Sequence, residues 1–165
     1  MRRLFSNGLA VFAGMVSLPL ATTHAGTTQP ATAEYRNQPD KDPRLACLRA
    51  FFEGTNCPAA SLSPVFLEAS DAYSLDWRLL PSISFVESTG GKSARNNNIF
   101  GWDSGRAVFG SVIDCIRSVA YSLSHSHLYR YKTLDGILRT YNPNADYARK
   151  VKSVMVRIAP WETLD

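Results

Sequence analysis

Glu87 stands where an apolar helical pattern gives way to a loop rich in glycine and asparagine. The residues on both sides of this junction are mostly apolar: Ile83, Phe85, Val86, Ile99, Phe100 and Trp102. A carboxyl group in such surroundings is expected to have its pKa raised from about 4.3 toward neutrality, because its charged form loses hydration. A general acid that cleaves a glycosidic bond needs such a raised pKa. The sequence therefore makes Glu87 a candidate general acid, and the alternative is an ordinary surface glutamate at a helix end.

Other kinds of chemistry have weaker support. His125 and His127 are two residues apart, so they do not share a helix face, and no third ligand is near. We therefore expect no metal site and no cofactor. Cys47 and Cys57 are close enough in sequence for a disulfide between the first helix and the next segment, whereas Cys115 fits a buried free thiol. The pairing stays open at this stage.

The elements that must position Glu87 are helical, and the predicted fold class is all-α with at most a small β element. Helix start signals occur at Asp42-Pro43, Ser63-Pro64, Asp76, Ser111, Thr133 and Asn144. Apolar residues follow each signal at helical spacing. After Asn144 the predicted inward residues are Tyr147, Val151, Val154, Met155 and Ile158. Glu87 lies near the end of the third helix, in which Pro81 predicts a bend or a late start and which Gly90-Gly91 should end. A turn-rich stretch from Ser88 to Gly110 comes next.

The beginning of the chain has the pattern of a targeting segment. Arg2 and Arg3 precede an apolar run and a small-residue site ending at Ala25, which predicts a signal peptide over residues 1–25. An uncleaved membrane anchor is the alternative. Residues 26–41 are expected to be a flexible lead-in, and residues 42–165 a single domain. Residues 1–25 contain two arginines and no acids, so cleavage lowers the net charge from +4 to +2 and weakens any argument for nucleic-acid binding.

Two motifs resemble a known family. Residues 84–93, Ser-Phe-Val-Glu-Ser-Thr-Gly-Gly-Lys-Ser, are followed at 97–102 by Asn-Asn-Ile-Phe-Gly-Trp. This combination resembles the glucosaminidase family (mannosyl-glycoprotein endo-β-N-acetylglucosaminidase-like) of bacterial autolysins and flagellar muramidases, within the lysozyme-like superfamily that also holds the lytic transglycosylases. Residues 139–143, Arg-Thr-Tyr-Asn-Pro, with Tyr147 and Val151, are similar to the family's late tyrosine motif. The resemblance spans roughly residues 63–158.

The resemblance implies that Glu87 protonates the bridging oxygen of a β-1,4 bond between N-acetylated sugars. Family members carry a second carboxylate in a longer insert after the Phe-Gly motif, and here the short insert offers only Asp103. Asp103 is a tentative second catalytic group, although an aspartate in a Trp-Asp-Ser-Gly turn is more often a turn former. Without it, the N-acetyl group of the substrate would have to assist, as in lytic transglycosylases.

The same motifs supply candidate substrate-binding residues, namely Asn98, Phe100, Trp102, Tyr141 and Asn142. Tyr141 could bind the acetamido group or orient Glu87, and its alternative role is that of a core tyrosine. Asn98 could bind sugar, but shaping the loop is the stronger expectation. Trp102 could stack on a sugar ring or pack beneath the loop.

The expected function is cleavage of the glycan strands of peptidoglycan, in the periplasm or outside the cell. The expected partners are those strands, with no nucleic acid and no stable membrane insertion after signal cleavage. An envelope machine for secretion or motility is a candidate partner. The alternatives are a lytic transglycosylase that uses the same acid and a non-catalytic peptidoglycan-binding module.

Overall fold

The computed structural model describes residues 42–160, and the fold within this range is all-α, as predicted. Its six α-helices are α1 (Pro43–Gly54), α2 (Ser63–Ala72), α3 (Leu79–Ser88), α4 (Val112–His125), α5 (Leu134–Tyr141) and α6 (Ala145–Ile158). A 3₁₀ helix, Pro58–Leu62, connects α1 to α2. The only β feature in the described range is an isolated bridge between Arg95 and Asn98. The predicted signal peptide, the lead-in and residues 161–165 lie outside the described residues.

The first helix begins as its start signal predicts. The Asp42 carboxylate accepts a hydrogen bond from the backbone N–H of Arg44 at 2.9 Å, and a proline occupies the first turn. The helix predicted at Ser63-Pro64 does begin there, but Ser63 is the first residue of α2 rather than its cap. Its hydroxyl donates to the carbonyl of Ala60 at 2.8 Å, since the 3₁₀ helix runs directly into α2.

The third helix is the central one for the site. Leu79, Leu80 and Ile83 are buried, and α3 packs against both α2 and α6. Asp76 accepts from the backbone N–H of Arg78 at 2.9 Å and caps the turn that precedes the helix. Pro81 falls in the first turn, where its missing N–H removes no helical hydrogen bond, so the predicted late start is confirmed.

The last three helices are capped by the predicted residues. Ser111, Thr133 and Asn144 each accept a hydrogen bond from a backbone N–H two or three residues later. The predicted inward face of α6 is buried, and it consists of Tyr147, Val151, Val154, Met155 and Ile158. These side chains hold α6 against α3 and α5. No helix in the range 42–160 is long and apolar enough to cross a membrane.

The cysteines do not form the disulfide that the sequence allowed. Cys47, Cys57 and Cys115 are all free thiols. Cys57 is buried beneath Gly90, where a Cβ would lie 3.1 Å from the Cys57 Cβ, so this sulfur is packed into the core. Cys115 is fully buried, as predicted, and burial raises the pKa of its thiol to about 11.

Candidate active site

The end of α3 is tied to the loop that follows it. The hydroxyl of Ser88, the residue after Glu87, donates to the carbonyl of Ile99 at 2.7 Å and accepts from the N–H of Gly91 at 2.9 Å. Thr89 and Gly90 both have a positive φ, of 54° and 61°, so the chain turns sharply as the helix ends. This turn brings the segment that begins at Ile99 back beside the last turn of α3.

Gly101 lies directly against the Glu87 carboxyl group. Its φ is +61°, and a Cβ at this position would stand 2.8 Å from Glu87 Oε2. The left-handed backbone favours glycine, and a Cβ at this position would push aside the end of the Glu87 side chain. The Phe-Gly pair of the loop motif thus has a physical reason, because any side chain at position 101 would displace the carboxyl group.

The environment of Glu87 suits an acid that holds its proton. The residue as a whole is exposed, but the protein on one side partly desolvates its carboxyl group, and this burial raises the pKa of Glu87. An interaction with the Tyr147 hydroxyl acts in the opposite direction and lowers the pKa. The carboxyl group is therefore accessible from one side, and its protonated form is favoured relative to a free glutamate.

Tyr147 presents a buried hydroxyl to this carboxyl group. The hydroxyl is near enough to Glu87 to affect its pKa, yet it makes no hydrogen bond of regular geometry within the described residues. Burial, followed by the neighbouring Tyr141 and the charge of Glu87, raises the pKa of Tyr147. The phenol therefore stays protonated at neutral pH, and it is the donor available to orient Glu87.

An aromatic cluster extends from Tyr147 to the loop. The ring of Tyr141 stacks on that of Tyr147, with centroids 5.8 Å apart and planes 6° apart. Trp102 meets Tyr141 edge-on at 5.7 Å and lies 6.0 Å from Tyr129. The Tyr141 hydroxyl donates to the carbonyl of Phe100, which fixes the loop next to Gly101. Burial and then the charge of Glu87 raise the pKa of Tyr141.

The structure gives Asn98 the loop-shaping role that was the stronger expectation. Its amide nitrogen donates to the carbonyls of Trp102 at 2.9 Å and Ala107 at 3.2 Å, and its oxygen accepts from the N–H of Trp102 at 2.8 Å. The side chain is buried, with 4% of its surface exposed. These internal hydrogen bonds occupy the amide, so direct sugar binding by Asn98 has no support here.

Phe100 is not available to a substrate through its ring. The residue is fully buried, and its ring packs edge-on against Phe66 at 6.4 Å. The ring belongs to the core, and only the backbone carbonyl takes part in the site, so a substrate contact through Phe100 stays a prediction. Trp102, in contrast, is half-buried and retains some exposed surface.

Asp103 and Asn142 lie at turns. Asp103 has a φ of +52° and pairs with Arg106 at 2.6 Å, and hydrogen bonding to this arginine lowers the pKa of Asp103. The influences on the pKa of Glu87 do not include Asp103, and the catalytic role of Asp103 stays a prediction. The Asn142 side chain accepts from the N–H of Asn144 at 3.0 Å just after α5, and its role in substrate binding also stays a prediction.

Sequence reasoning assigned Tyr147 to the inward face of α6 and missed its place beside Glu87. It also gave no role to Ser88 or Gly101. The signal was present in the motifs, because Tyr147 follows the late tyrosine motif and Gly101 follows Phe100. What the motifs could not supply was the contact between them, which depends on the packing of α3 against α6.

The residues around Glu87 come from four parts of the fold. Glu87, Gly101, Tyr147 and Tyr141 meet where α3, the loop, α5 and α6 converge. Comparison of the chain with protein-family models, with curated proteins and with solved structures gives no match.

Proposed function

We propose that this protein cleaves β-1,4 bonds between N-acetylated sugars in peptidoglycan, with Glu87 as the general acid. The observation that carries the proposal is the position of the Glu87 carboxyl group, which lies against Gly101 and beside the buried Tyr147 hydroxyl, with a raised pKa. This combination of desolvation and access suits proton transfer to a bound glycan. The resemblance of the Glu-Ser and Asn-Asn-Ile-Phe-Gly motifs to glucosaminidases supports the substrate class.

The reaction begins with protonated Glu87. Its proton moves to the bridging oxygen while the bond between that oxygen and the sugar C1 breaks, and the bonding electrons leave with the oxygen. Positive charge develops on C1 and the ring oxygen. An oxygen nucleophile then bonds to C1 and returns its proton to the Glu87 carboxylate, which restores the acid.

Three members of the aromatic cluster support this step. Tyr147 offers a protonated hydroxyl to Glu87, and Tyr141 fixes the loop that holds Gly101 against the carboxyl group. Trp102 is a half-buried residue of the same loop, and an indole ring of this kind is suited to stacking on a sugar ring. Binding of the glycan along this loop would present the bond to the exposed side of Glu87.

A second candidate is a lytic transglycosylase, in which the nucleophile is the C6 hydroxyl of the same sugar rather than water. The observation in its favour is the pairing of the only candidate second carboxylate, Asp103, with Arg106. The influences on the pKa of Glu87 are burial and Tyr147, and none comes from a neighbouring carboxylate. A site with one carboxylate suits assistance by the N-acetyl group of the substrate.

Mass spectrometry of purified peptidoglycan after digestion tests both candidates. We expect the wild type to release fragments and Glu87→Gln to release none while keeping the helical circular dichroism of the wild type. Reducing ends identify a hydrolase, and 1,6-anhydro ends identify a transglycosylase. A Glu87→Gln variant with full activity would exclude Glu87 as the acid. Pelleting with peptidoglycan and no released fragments would indicate a binding module instead.

The proposed setting is the cell envelope, after export directed by residues 1–25. Peptidoglycan strands are the proposed partners, and an envelope machine that must cross the wall is a proposed biological context. Fractionation of cells that produce the full chain tests this part separately. We expect the protein in the periplasm or the medium, shortened by cleavage after Ala25.

A further inference from the structure

A groove of about 510 Å³ runs between α3 and α6. It is lined by Phe85, Val86, Arg149, Lys150, Ser153, Val154 and Arg157. Val86 immediately precedes Glu87, and Lys150 lies about one helical turn beyond Tyr147, whose hydroxyl faces the Glu87 carboxyl group. One end of the groove is therefore next to the candidate active site.

The walls of the groove differ in chemistry. Phe85, Val86 and Val154 form an apolar floor of half-buried and buried side chains. Three cationic side chains, all exposed, stand along α6 at positions 149, 150 and 157. Arg149 pairs with Asp146 at 2.8 Å, and the residues that line the groove include no acid. The groove thus combines an apolar floor with a rim of net positive charge.

Arg157 is held at the far end of the groove. Its guanidinium carbon lies 5.3 Å from the ring centroid of Phe51 and 5.6 Å from that of Phe85. Arg157 comes seven positions after Lys150, which corresponds to roughly 10 Å along α6. An extended peptide covers this distance in about three residues. The spacing of the cations therefore suits a short peptide with more than one carboxylate.

We infer that this groove binds the acidic stem peptide that branches from the glycan strand, and the inference rests on the proposed function. Stem peptides carry free carboxylates and small alanine methyl groups, which are complementary to the basic rim and to the apolar floor. The stem is attached to the sugars that Glu87 would act on, so a groove that begins beside Glu87 is placed to receive it. The groove then selects glycan that still carries its peptides.

Kinetics on two substrates test the inference. Purified glycan strands with intact stems are compared with strands from which an amidase has removed the peptides. For the wild type we expect a KM about three- to tenfold lower on the strands that carry stems, the size expected for a few exposed charge pairs. Raising the salt concentration should reduce this difference, because salt screens exposed charges.

Variants that reverse the charge of the basic rim test whether the rim causes the KM difference. Lys150→Glu and Arg149→Glu should remove the KM difference between the two substrates, and Lys150→Gln should reduce it without reversing the charge. Arg117→Glu is the matched control, because Arg117 is an exposed arginine on α4 that pairs with Glu68 at 3.0 Å and does not line the groove. This control should keep the wild-type difference. Thermal melts establish that each variant is folded.

The outcomes separate the inference from the proposed function. Equal KM values for the wild type on both substrates, or a difference that survives both charge reversals, would overturn the inference and leave the proposed function intact. A wild type that releases fragments from neither substrate would overturn the proposed function, and the inference would be lost with it.

Discussion

Glu87 and Gly101 are in direct contact across the junction between α3 and its following loop. A Cβ at position 101 would lie 2.8 Å from Glu87 Oε2 and 3.5 Å from the carboxyl carbon. The contact is maintained from both sides, by the hydrogen bond from Ser88 to Ile99 and by that from Tyr141 to Phe100. The orientation of the candidate acid is therefore coupled to the loop conformation.

Gly101→Ala should damage activity by displacing the Glu87 carboxyl group. We expect kcat to fall at least tenfold, because a misplaced catalytic group costs large factors in rate. Alanine at a positive φ is also strained, which should lower the free energy of unfolding by about 1–2 kcal/mol. Glycan cleavage and urea unfolding measure the two effects separately.

Gly105→Ala is the matched control for this substitution. Gly105 has a φ of +79° in the same loop, and a Cβ there would meet no atom within 4 Å. The control should therefore lose a similar amount of stability while keeping its activity. Equal losses of activity in the two variants would show that loop strain, rather than contact with Glu87, is responsible.

Tyr147→Phe should move the basic limb of the pH profile to higher pH. The Tyr147 hydroxyl lowers the pKa of Glu87, so its removal leaves burial as the main influence and raises that pKa further. A general acid works in its protonated form, and a higher pKa keeps it protonated to higher pH. The profile of kcat/KM against pH measures this shift.

Tyr73→Phe controls for the loss of a tyrosine hydroxyl elsewhere, because Tyr73 packs against Tyr121 and His125 rather than at the site. Its pH profile should match that of the wild type. Little stability should be lost in Tyr147→Phe, since its buried hydroxyl makes no regular hydrogen bond. An unchanged basic limb would mean that Tyr147 supports the fold and does not tune Glu87.

The raised pKa of Glu87 also predicts a pH dependence of stability. The folded state holds the Glu87 proton more tightly than the unfolded state. The stability that this adds is therefore complete below the pKa of Glu87 in the unfolded state. It is lost as the pH rises through the pKa of Glu87 in the folded state. Glu87→Gln cannot lose a proton. The variant should therefore gain stability relative to the wild type between about pH 4 and the folded pKa, with no further gain above it. Urea unfolding across this range measures the difference, and a constant difference would contradict the prediction.

The helices could be predicted because their determinants are local. Asp42-Pro43 opens α1, and the inward residues of α6 repeat at helical spacing, so each helix carries its own start signal and apolar face. Ser63 begins α2 instead of capping it, because a 3₁₀ helix runs into α2 without a break. Propensity alone does not distinguish a residue that caps a helix from one that begins it.

The site could be predicted only in part, because its contacts join distant positions. The sequence identified Glu87 and the Asn-Asn-Ile-Phe-Gly motif, but Tyr141 reaches Phe100 from a helix 41 residues away. Tyr147 meets Glu87 only when α6 packs on α3. The helical spacing of apolar residues assigned Tyr147 to the core. Spacing does not show which residue a buried hydroxyl faces, so the contact with Glu87 could not be predicted.

Asn98→Asp should destabilise the loop. The substitution keeps the oxygen that accepts from the Trp102 N–H, but it replaces the two amide donors with an oxygen facing the carbonyls of Trp102 and Ala107. A buried charge facing unpaired acceptors should cost about 1–3 kcal/mol in the free energy of unfolding. Asn142→Asp is the control, because Asn142 uses its side chain as an acceptor. Similar losses in urea unfolding would mean that the donors of Asn98 are not important.

Asp103→Asn tests whether the site needs a second carboxylate. Asparagine tolerates the positive φ at this position, so the turn should be retained while the charge is removed. Because Asp103 is exposed and paired with Arg106, we expect kcat/KM on peptidoglycan to stay within about threefold of the wild type.

Glu87→Gln makes the same chemical change at the candidate acid, and it should abolish turnover. A loss greater than about a hundredfold in Asp103→Asn, a size typical of a catalytic group, would make Asp103 the second carboxylate and favour hydrolysis. Retained activity together with 1,6-anhydro ends would support a lytic transglycosylase, in which the N-acetyl group and the C6 hydroxyl of the substrate complete the reaction.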